Sequence, residues 1–367
     1  MASPQQEQAM QSIVVACYKV VAVSTLVKSC LVSLVLSFGV TSFATHGEDY
    51  DAKLLNAQQA FESGRLLRAQ FKNVESRQYL KHAADNGNAD AAYLYAMELS
   101  NYRTTIRTPP QAREYLLQAA QGGNRHAMQH LYQNGQWLSK KEREQWQHQY
   151  HDTLIRLGQS NPAQALFELA QYFHSSDKEL SEYYLAKAMA FHHPRALMEQ
   201  ARRIESGSGS YMMPGSRDTK VRETYSRDTK VRETYLAAAK TGYVPAIRAY
   251  INLLEDKGRY EEAFEWRQKA LQAGDLTSLA ALGFIYSGQG EAYPFVETDL
   301  VRAKAYFDLY LETAGTDRLE NLHSAVAEKY QQLAPRITSE QETAADTLEL
   351  NLKKNVDFYN HDLFWDI

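Results

Sequence analysis

The chain has 367 residues, of which 23% are charged and 11% are aromatic, and its mean hydropathy is -0.51. This composition excludes a disordered or collagen-like chain, and it supplies enough apolar material for two or three compact domains or for one elongated array. A formal net charge of -4 excludes a general basic surface, so nucleic acid is not an expected partner.

The first apolar stretch predicts a secretory signal. Residues 30–40 form an apolar core of signal-peptide length, and Ser42 and Ala44 are the small residues that a signal peptidase recognises. We therefore interpret residues 1–44 as a signal peptide that is cleaved near Ala44, which makes the mature protein periplasmic or secreted.

Two other interpretations of this stretch stay open. The apolar run at residues 13–43 is long enough to remain as an N-terminal membrane anchor, although Lys19 and Lys28 interrupt it. A lipoprotein signal ending at Cys17 is the third interpretation, but no apolar run precedes that cysteine. Because Cys17 and Cys30 are the only cysteines, a cleaved chain has no disulfide, and no membrane span is expected in it.

The part of the chain that follows residue 44 contains an internal repeat centred on a glycine. A small residue stands four positions before the glycine and another stands four positions after it. The copies lie at residues 79–91, 115–127, 184–196, 235–246 and 265–278. The central position is occupied by Gly87, Gly123, a degenerate Gly158, His192, Gly242 and Gly274, at intervals of 32 to 36 residues and one interval of 50.

The long interval contains a tandem duplication. Residues 216–225 (SRDTKVRETY) recur unchanged as residues 226–235, shortly after the flexible segment GSGS at 207–210. We therefore predict a loop insertion at residues 205–230. The second copy is expected to pack and the first to form a loop or an exposed helical extension, because a ten-residue shift turns a helix by about 1000° and changes the face it presents.

The repeat predicts helical hairpins. Small residues on both sides of the glycine permit two helices to cross closely, and the glycine suits the left-handed position that ends the first helix. The small residues before the glycine are Ala83, Ala119, Ala188, Ala238 and Ala270. Because one hairpin cannot bury its own apolar face, the units are expected to stack into a superhelix.

The copy at residues 263–290 has the best match to a known family. Its sequence is AFEWRQKALQAGDLTSLAALGFIYSGQG. The second half of the family's pattern falls on Leu282, Gly283, Tyr286, Gly288 and Gly290. The copy resembles the Sel-one-like repeat family, a branch of the tetratricopeptide-like α-solenoids. The resemblance covers about residues 76–315 and implies an all-α, right-handed superhelical α-solenoid of about six to seven helix-turn-helix repeats.

The segments on either side of the array are expected to cap it. Residues 45–75 are predicted to form an N-terminal capping helix, and residues 316–367 are predicted to form C-terminal capping helices and an aromatic tail. A capping box that begins at Ser339 opens the last long helix. The acidic and aromatic tail, DFYNHDLFWDI, either folds back over the last hairpin or docks elsewhere.

The chain lacks the sequence motifs of common enzyme classes, including G-x-S-x-G, G-x-x-x-x-G-K-[ST] and C-x-x-C. His126 and His130 lie four residues apart, but they lack the glutamate of a metalloprotease and an evident third ligand. No catalytic residue, metal site or cofactor is therefore expected, and the protein is predicted not to be an enzyme.

Polar residues stand five positions before the glycine in most copies. These residues are His82, Gln118, Lys187 and Lys269. We predict that they bind a partner protein through hydrogen bonds; the alternative is an ordinary solvated surface. Tyr79, Tyr115 and Tyr184 are instead expected to pack between repeats.

The family resemblance implies a non-enzymatic scaffold or adaptor of the bacterial envelope. Such a protein binds another protein, for example an envelope complex or a host protein, through the solenoid surface. The alternative is an immunity protein that binds and neutralises a secreted toxin such as a phospholipase. A wall-acting hydrolase is a third hypothesis, and it would need an acid and a base in one cleft.

Overall fold

The structure is a computed structural model that describes residues 52–101, 108–206, 217–289, 292–317 and 320–364. The predicted signal peptide lies outside these ranges, as do residues 207–216 of the predicted loop insertion. Within the described residues the chain is mostly helical, and the only β-type contact is an isolated bridge between Asp275 and Tyr359. The predicted all-α class is confirmed.

The described ranges contain seventeen α-helices. They are α1 (Ala57–Ala69), α2 (Asn73–Asp85), α3 (Ala89–Asn101), α4 (Pro110–Gln121), α5 (Arg125–Asn134), α6 (Lys140–Ser160), α7 (Pro162–Phe173), α8 (Lys178–Ala190) and α9 (Pro194–Glu205). They continue as α10 (Arg217–Ala239), α11 (Val244–Asp256), α12 (Tyr260–Gln272), α13 (Leu276–Phe284), α14 (Leu300–Thr313), α15 (Glu320–Leu333), α16 (Ser339–Asn355) and α17 (His361–Phe364). No helix of the described ranges combines the length and the apolar character that a membrane span requires.

The helices belong to two compact units. Unit 1 contains Met128–Ala238, and unit 2 contains Asp49–Ala127 together with Ala239–Ile367. Consecutive helices pack as pairs in both units, for example α1 with α2 in unit 2 and α7 with α8 in unit 1. The predicted helix-turn-helix organisation is therefore present.

The predicted glycines end helices in the left-handed conformation. Their φ values are 89° at Gly87, 95° at Gly123, 82° at Gly242 and 80° at Gly274. At the first of them, the N–H of Gly87 donates to the carbonyl of Ala84 (2.9 Å) and the N–H of Asn88 donates to the carbonyl of Ala83 (3.0 Å). These are the two hydrogen bonds of a Schellman motif, which only a residue that tolerates positive φ can complete without strain.

The residue after the glycine begins the next helix, a feature that the sequence interpretation missed. Its side-chain oxygen accepts a hydrogen bond from the backbone N–H three residues later. The pairs are Asn88 with Ala91 (2.8 Å), Asn124 with Ala127 (2.7 Å) and Asp275 with Ser278 (2.8 Å). Two adjacent residues thus end one helix and cap the next. Because this connection is so short, the two helices that it joins pack against each other.

Two histidines replace this glycine and its capping neighbour between α8 and α9. His192 takes the left-handed conformation with a φ of 55°. Nδ1 of His193 accepts a hydrogen bond from the N–H of Ala196 (3.3 Å), and its Nε2 donates to Oε1 of Gln164 (2.8 Å). Both bonds require the neutral Nε2–H tautomer. Burial, with the nearby charge of Arg195, lowers the pKa of His193 to about 4 and keeps the ring neutral.

The third repeat departs from the prediction at Gly158. This glycine lies inside α6 and is buried, so it does not end its helix. The helix continues to Ser160, Pro162 opens α7, and Oδ1 of Asn161 accepts a hydrogen bond from the N–H of Gln164 (3.3 Å). A residue that precedes proline disfavours helical backbone, which moves the break to Asn161. The predicted helix end at Gly158 is wrong for this reason.

The small residues of the repeat lie where helices cross. All five alanines that precede the central position are fully buried, with 0% of their surface exposed. Leu80 and Leu116, three residues earlier on the same face, are also fully buried. These positions confirm the predicted packing of small residues beside a bulky apolar one.

One helix passes through both copies of the duplication. Helix α10 runs from Arg217 to Ala239, so residues 217–230 do not form the predicted loop, and the described residues of the first copy form the helical extension that was the alternative. The repeated ten residues contain no glycine or proline that would end a helix. In the second copy, Val231 and Tyr235 are buried, in agreement with the expectation that this copy packs.

Helix α16 begins one residue earlier than predicted. Its capping residue is Thr338, whose Oγ1 accepts from the N–H of Gln341 (3.2 Å), while Oε1 of Gln341 accepts from the N–H of Thr338 (3.0 Å). Ser339 is the first helical residue. The predicted capping box is therefore present, but Thr338 and Gln341 form it.

Candidate interaction surfaces

Two of the predicted partner-binding residues bind backbone carbonyls of unit 2. Nε2 of Gln118 donates to the carbonyl of Ala84 (2.6 Å), which is in the last turn of α2. Nε2 of His82 donates to the carbonyl of Leu55 (3.0 Å). The Ala84 carbonyl also accepts from the N–H of Gly87, so Gln118 supplies its second hydrogen bond from the next helix pair. Both side chains therefore connect neighbouring segments of this chain, and a ligand would have to compete for them.

The other two predicted residues lie over aromatic rings of their own helices. The Lys269 ammonium is 4.0 Å from the centre of the Trp266 ring in unit 2, and the Lys187 ammonium is 5.4 Å from the centre of the Tyr183 ring in unit 1. A cation over a ring face is stabilised by the ring quadrupole and loses some of its rotamer freedom. Lys269 remains exposed while Trp266 is buried. Each lysine is thus a fixed positive charge at the surface.

The tyrosines of the repeat pack in the interior, as predicted for Tyr115 and Tyr184. The Tyr115 hydroxyl donates to Oδ1 of Asp85 (2.6 Å), and its ring meets the Tyr95 ring edge to face at 4.9 Å. The Tyr184 ring stacks on Phe173 at 5.7 Å. Burial raises the pKa of Tyr184 to about 12. These rings join helices and are not ligand anchors.

The C-terminal residues 356–364, which we name the tail, pack against other segments of unit 2; residues 356–360 are extended, and His361–Phe364 form α17. The N–H of Tyr359 donates to the carbonyl of Gly274 (3.0 Å), and the N–H of Leu276 donates to the carbonyl of Tyr359 (3.2 Å). On the other side, the N–H of Asn360 donates to the carbonyl of Ala69 at the end of α1 (2.8 Å). The tail therefore joins α1 to the α12–α13 connection. The tail thus contacts the turn of the α12–α13 hairpin, and it also docks elsewhere, on the end of α1.

Three arginines of unit 2 hold the end of the tail. Nη2 of Arg65 donates to the carbonyl of Phe364 (2.6 Å), and its guanidinium lies 3.7 Å from the centre of the Phe364 ring. Nη1 of Arg68 donates to the carbonyl of Leu363 (3.2 Å), and Arg248 forms an ion pair with Asp362. The three arginines thus bind two backbone carbonyls and one carboxylate of the tail.

The tail buries one histidine next to a buried acid. His361 is 4% exposed and stacks on the Tyr359 ring at 4.2 Å, and Asp275 is fully buried. Burial lowers the pKa of His361, and the Asp275 carboxylate opposes that shift. Oδ2 of Asp275 accepts from the N–H (2.8 Å) and the hydroxyl (2.6 Å) of Ser278, and its Oδ1 lies 3.9 Å from Nε of Arg248. A neutral imidazole therefore lies beside a charged pair.

An acidic cluster on α14 and α16 has a spacing that a cation could use. Carboxylate oxygens of Asp308, Asp346 and Glu349 all lie within 4.8 Å of one another. However, the Lys304 ammonium donates to Asp308 (2.7 Å) and Asp346 (3.1 Å), and the Lys353 ammonium lies 2.6 Å from Glu349. The two lysines offset part of the charge of these three carboxylates, so the cluster is an ion-pair network that joins two helices.

The two histidines that were considered as zinc ligands lie in α5. The His126 ring stacks on Tyr93 at 5.9 Å. Burial lowers the pKa of His130. The ring contact assigns His126 to helix packing, and His130 is half-buried.

Comparisons with known proteins found similarity to solved structures, among them two repeat proteins. No protein-family model matches the chain, and no curated protein matches it. A protective antigen present in uropathogenic Escherichia coli strains, which displays an SLR fold, is 18% identical over 85% of this chain, with a TM-score of 0.39. The alignment covers 63% of that antigen, so this chain spans less than two thirds of its length. A Sel1 repeat protein from Oxalobacter formigenes is 18% identical over 80% of this chain and 86% of its own, with a TM-score of 0.34.

The fold follows from the helix pairs themselves. Each well-formed pair has a left-handed residue after its first helix, a capping residue directly after it and buried alanines at the crossing. This is the arrangement that the family resemblance implies. The described residues therefore have an all-α fold of consecutive helix pairs, the organisation that the resemblance to Sel1-like repeat proteins implies.

Proposed function

We propose that this protein is a non-enzymatic scaffold or adaptor of the bacterial envelope that binds a partner protein through the surface of its helix pairs. One observation supports the proposal above the others. The residues that recur from pair to pair are used for turns and crossings, whereas the exposed positions differ between pairs and include fixed charges such as Lys269. Recurrent residues keep the fold, and variable exposed residues are available for recognition.

The ionisable clusters support a role without catalysis. The acids of the Asp308 cluster form ion pairs with Lys304 and Lys353, and the His193 imidazole is used as a helix cap. A catalytic acid and base need a shared cleft and unequal environments. The described groups instead satisfy one another across helix contacts.

The envelope location rests on the predicted signal peptide at residues 1–44. N-terminal sequencing of the protein recovered from its bacterium tests it, and a mature N-terminus near Ala44 is the expected result. An N-terminus further upstream would replace periplasmic release by membrane anchoring.

Affinity capture from the envelope fraction, followed by mass spectrometry, tests the interaction. The bait is the full chain, compared with Lys187→Glu and Lys269→Glu variants. The matched controls are Lys141→Glu in unit 1 and Lys240→Glu in unit 2, since both lysines are exposed. We expect the natural chain and both controls to retain a partner protein, and we expect at least one of the Lys187→Glu and Lys269→Glu variants to lose it. Equal retention by all five chains would contradict binding through the predicted lysines.

The same experiment separates the scaffold from the immunity protein. A scaffold holds two or more partners weakly, whereas an immunity protein binds one enzyme tightly and abolishes its activity. A wall-acting hydrolase is tested separately by peptidoglycan turnover with the purified chain. Turnover would contradict the non-enzymatic assignment.

A further inference from the structure

The tail is held in the manner of a bound peptide. Its backbone bonds run to Gly274 and Leu276 on one side and to Ala69 on the other. Nε2 of Gln70 also donates to the carbonyl of Phe358 (3.0 Å). Backbone pairing of this kind places an extended segment whatever its sequence, and the side chains then add selectivity.

Side-chain contacts of the tail require aromatic and acidic residues at defined places. The Tyr359 ring packs on Phe364 at 4.4 Å, and Phe364 in turn lies under the Arg65 guanidinium. Phe358 is buried, with 3% of its surface exposed. Asp362 pairs with Arg248. The pattern read from this segment is aromatic-aromatic-x-x-Asp-x-aromatic.

The residues that bind these side chains lie outside the tail. Arg65 and Arg68 lie on α1, Arg248 lies on α11, and the Gly274 carbonyl belongs to the α12–α13 connection. The glycine has a φ of 80°, and a Cβ at this place would lie 2.3 Å from the carbonyl oxygen of Asp357 in the tail. Close approach of an extended backbone therefore needs glycine here.

We propose that this surface of unit 2 is a peptide-binding site for a segment of a partner protein that carries acidic and aromatic side chains and that, like the tail, is extended and then ends in a helical turn; the tail is its resident occupant. Arg248 selects a segment that carries an acid, Arg65 selects a ring at the position of Phe364, and Arg68 binds a backbone carbonyl. A second protein with this pattern would make the same bonds after displacing the tail. This inference deepens the proposed interaction function and rests on it.

The covalent connection of the tail to α16 determines how easily a partner can displace the tail from the site. A tail connected through α16 has an effective concentration in the millimolar range, so a partner competes only if it binds more tightly or if the resident tail is weakened. Asp362 offers a way to weaken the tail without touching the site. Its side chain is 56% exposed, so a substitution there does not disturb a core.

The experiment measures binding of a fluorescein-labelled peptide, VDFYNHDLF, to three full-length chains by anisotropy. The chains are the natural one, Asp362→Lys, and the control Glu340→Lys, which changes an exposed acid in α16. Loss of one charged hydrogen bond from the resident tail corresponds to roughly a tenfold change in affinity. We expect Asp362→Lys to bind the peptide roughly tenfold more tightly than the other two chains.

A second peptide and hydrogen exchange complete the test. A peptide with lysine in place of the aspartate that corresponds to Asp362 should bind the Asp362→Lys chain roughly tenfold more weakly than the natural peptide does. Natural peptide should also accelerate exchange of the tail amides at Tyr359 and Asn360. Equal affinity of the three chains, or equal binding of both peptides, would overturn the proposal. A concentration-dependent dimer with protected tail amides would overturn it in favour of a second copy of the chain.

Failure here is distinguishable from failure of the proposed function. Capture of a partner that depends on Lys187 or Lys269 would continue if only the tail site were misassigned. Conversely, if the lysine variants did not change capture, the predicted lysines would be wrong, and the peptide would still bind at the tail site.

Discussion

Replacing Gly274 by alanine separates backbone strain from tail docking. Gly274 and Gly87 both have a positive φ, 80° and 89°, and both belong to unit 2. A side chain in the left-handed conformation costs about 1 to 2 kcal/mol at either position. At Gly87, an added Cβ has no atom within 4 Å, so strain is the whole expected effect. Gly87→Ala is therefore the matched control.

At Gly274 the added Cβ would lie 2.3 Å from the carbonyl oxygen of Asp357, so the tail must move away. The displacement breaks the hydrogen bonds that join Tyr359 to Gly274 and Leu276 to Tyr359. At about 1 kcal/mol for each bond, Gly274→Ala should destabilise unit 2 by about 2 kcal/mol more than Gly87→Ala.

Urea denaturation gives the difference in unfolding free energy, and hydrogen exchange of the tail gives its cause. Gly274→Ala should accelerate exchange at Tyr359 and Asn360, and Gly87→Ala should leave these amides protected. Equal destabilisation by the two variants, with the tail still protected in both, would refute the argument.

Three further predictions concern packing, pH and binding. Ala119→Leu should destabilise the chain by about 1 to 3 kcal/mol in urea, because a fully buried alanine at a helix crossing has no room for a larger side chain. His193 has a folded pKa of about 4, below its unfolded value of 6.5, so its contribution is complete above pH 6.5 and declines as the pH falls. At pH 5 the loss should be about 2 kcal/mol, and His193→Gln should flatten the pH profile of unfolding. Lys187→Glu should change partner binding and leave the unfolding free energy within about half a kcal/mol; similar behaviour of Ala119→Leu and Lys187→Glu would contradict the division into buried and exposed positions.

Features that depend on neighbouring residues could be predicted from the sequence. A left-handed glycine and an alanine four residues away act within one turn and one crossing, so Gly87 and Ala83 could be assigned correctly. Gly158 was misassigned because Pro162 sets the helix boundary more strongly than a glycine does. The capping role of Asn88 was available in the same way, since asparagine favours the first position of a helix.

Features that depend on distant parts of the chain could not be predicted. Gln118 is polar, but its hydrogen bond to Ala84 depends on how two pairs stack. The tail binds Arg65, which lies 299 residues before Phe364. An acidic and aromatic composition indicates that such a tail docks, but it does not identify the arginines that receive it. The positions of partner-binding residues remain a prediction for the same reason.

Affinity capture with the full chain and its lysine variants tests the central claim most directly. The account predicts that a protein of the envelope fraction is retained in stoichiometric amount by the natural chain and by Lys240→Glu. It also predicts that Lys269→Glu or Lys187→Glu loses that protein while keeping the same unfolding free energy. Failure of the natural chain to retain any protein, together with turnover of a cell-wall substrate, would contradict a protein that works through its surface.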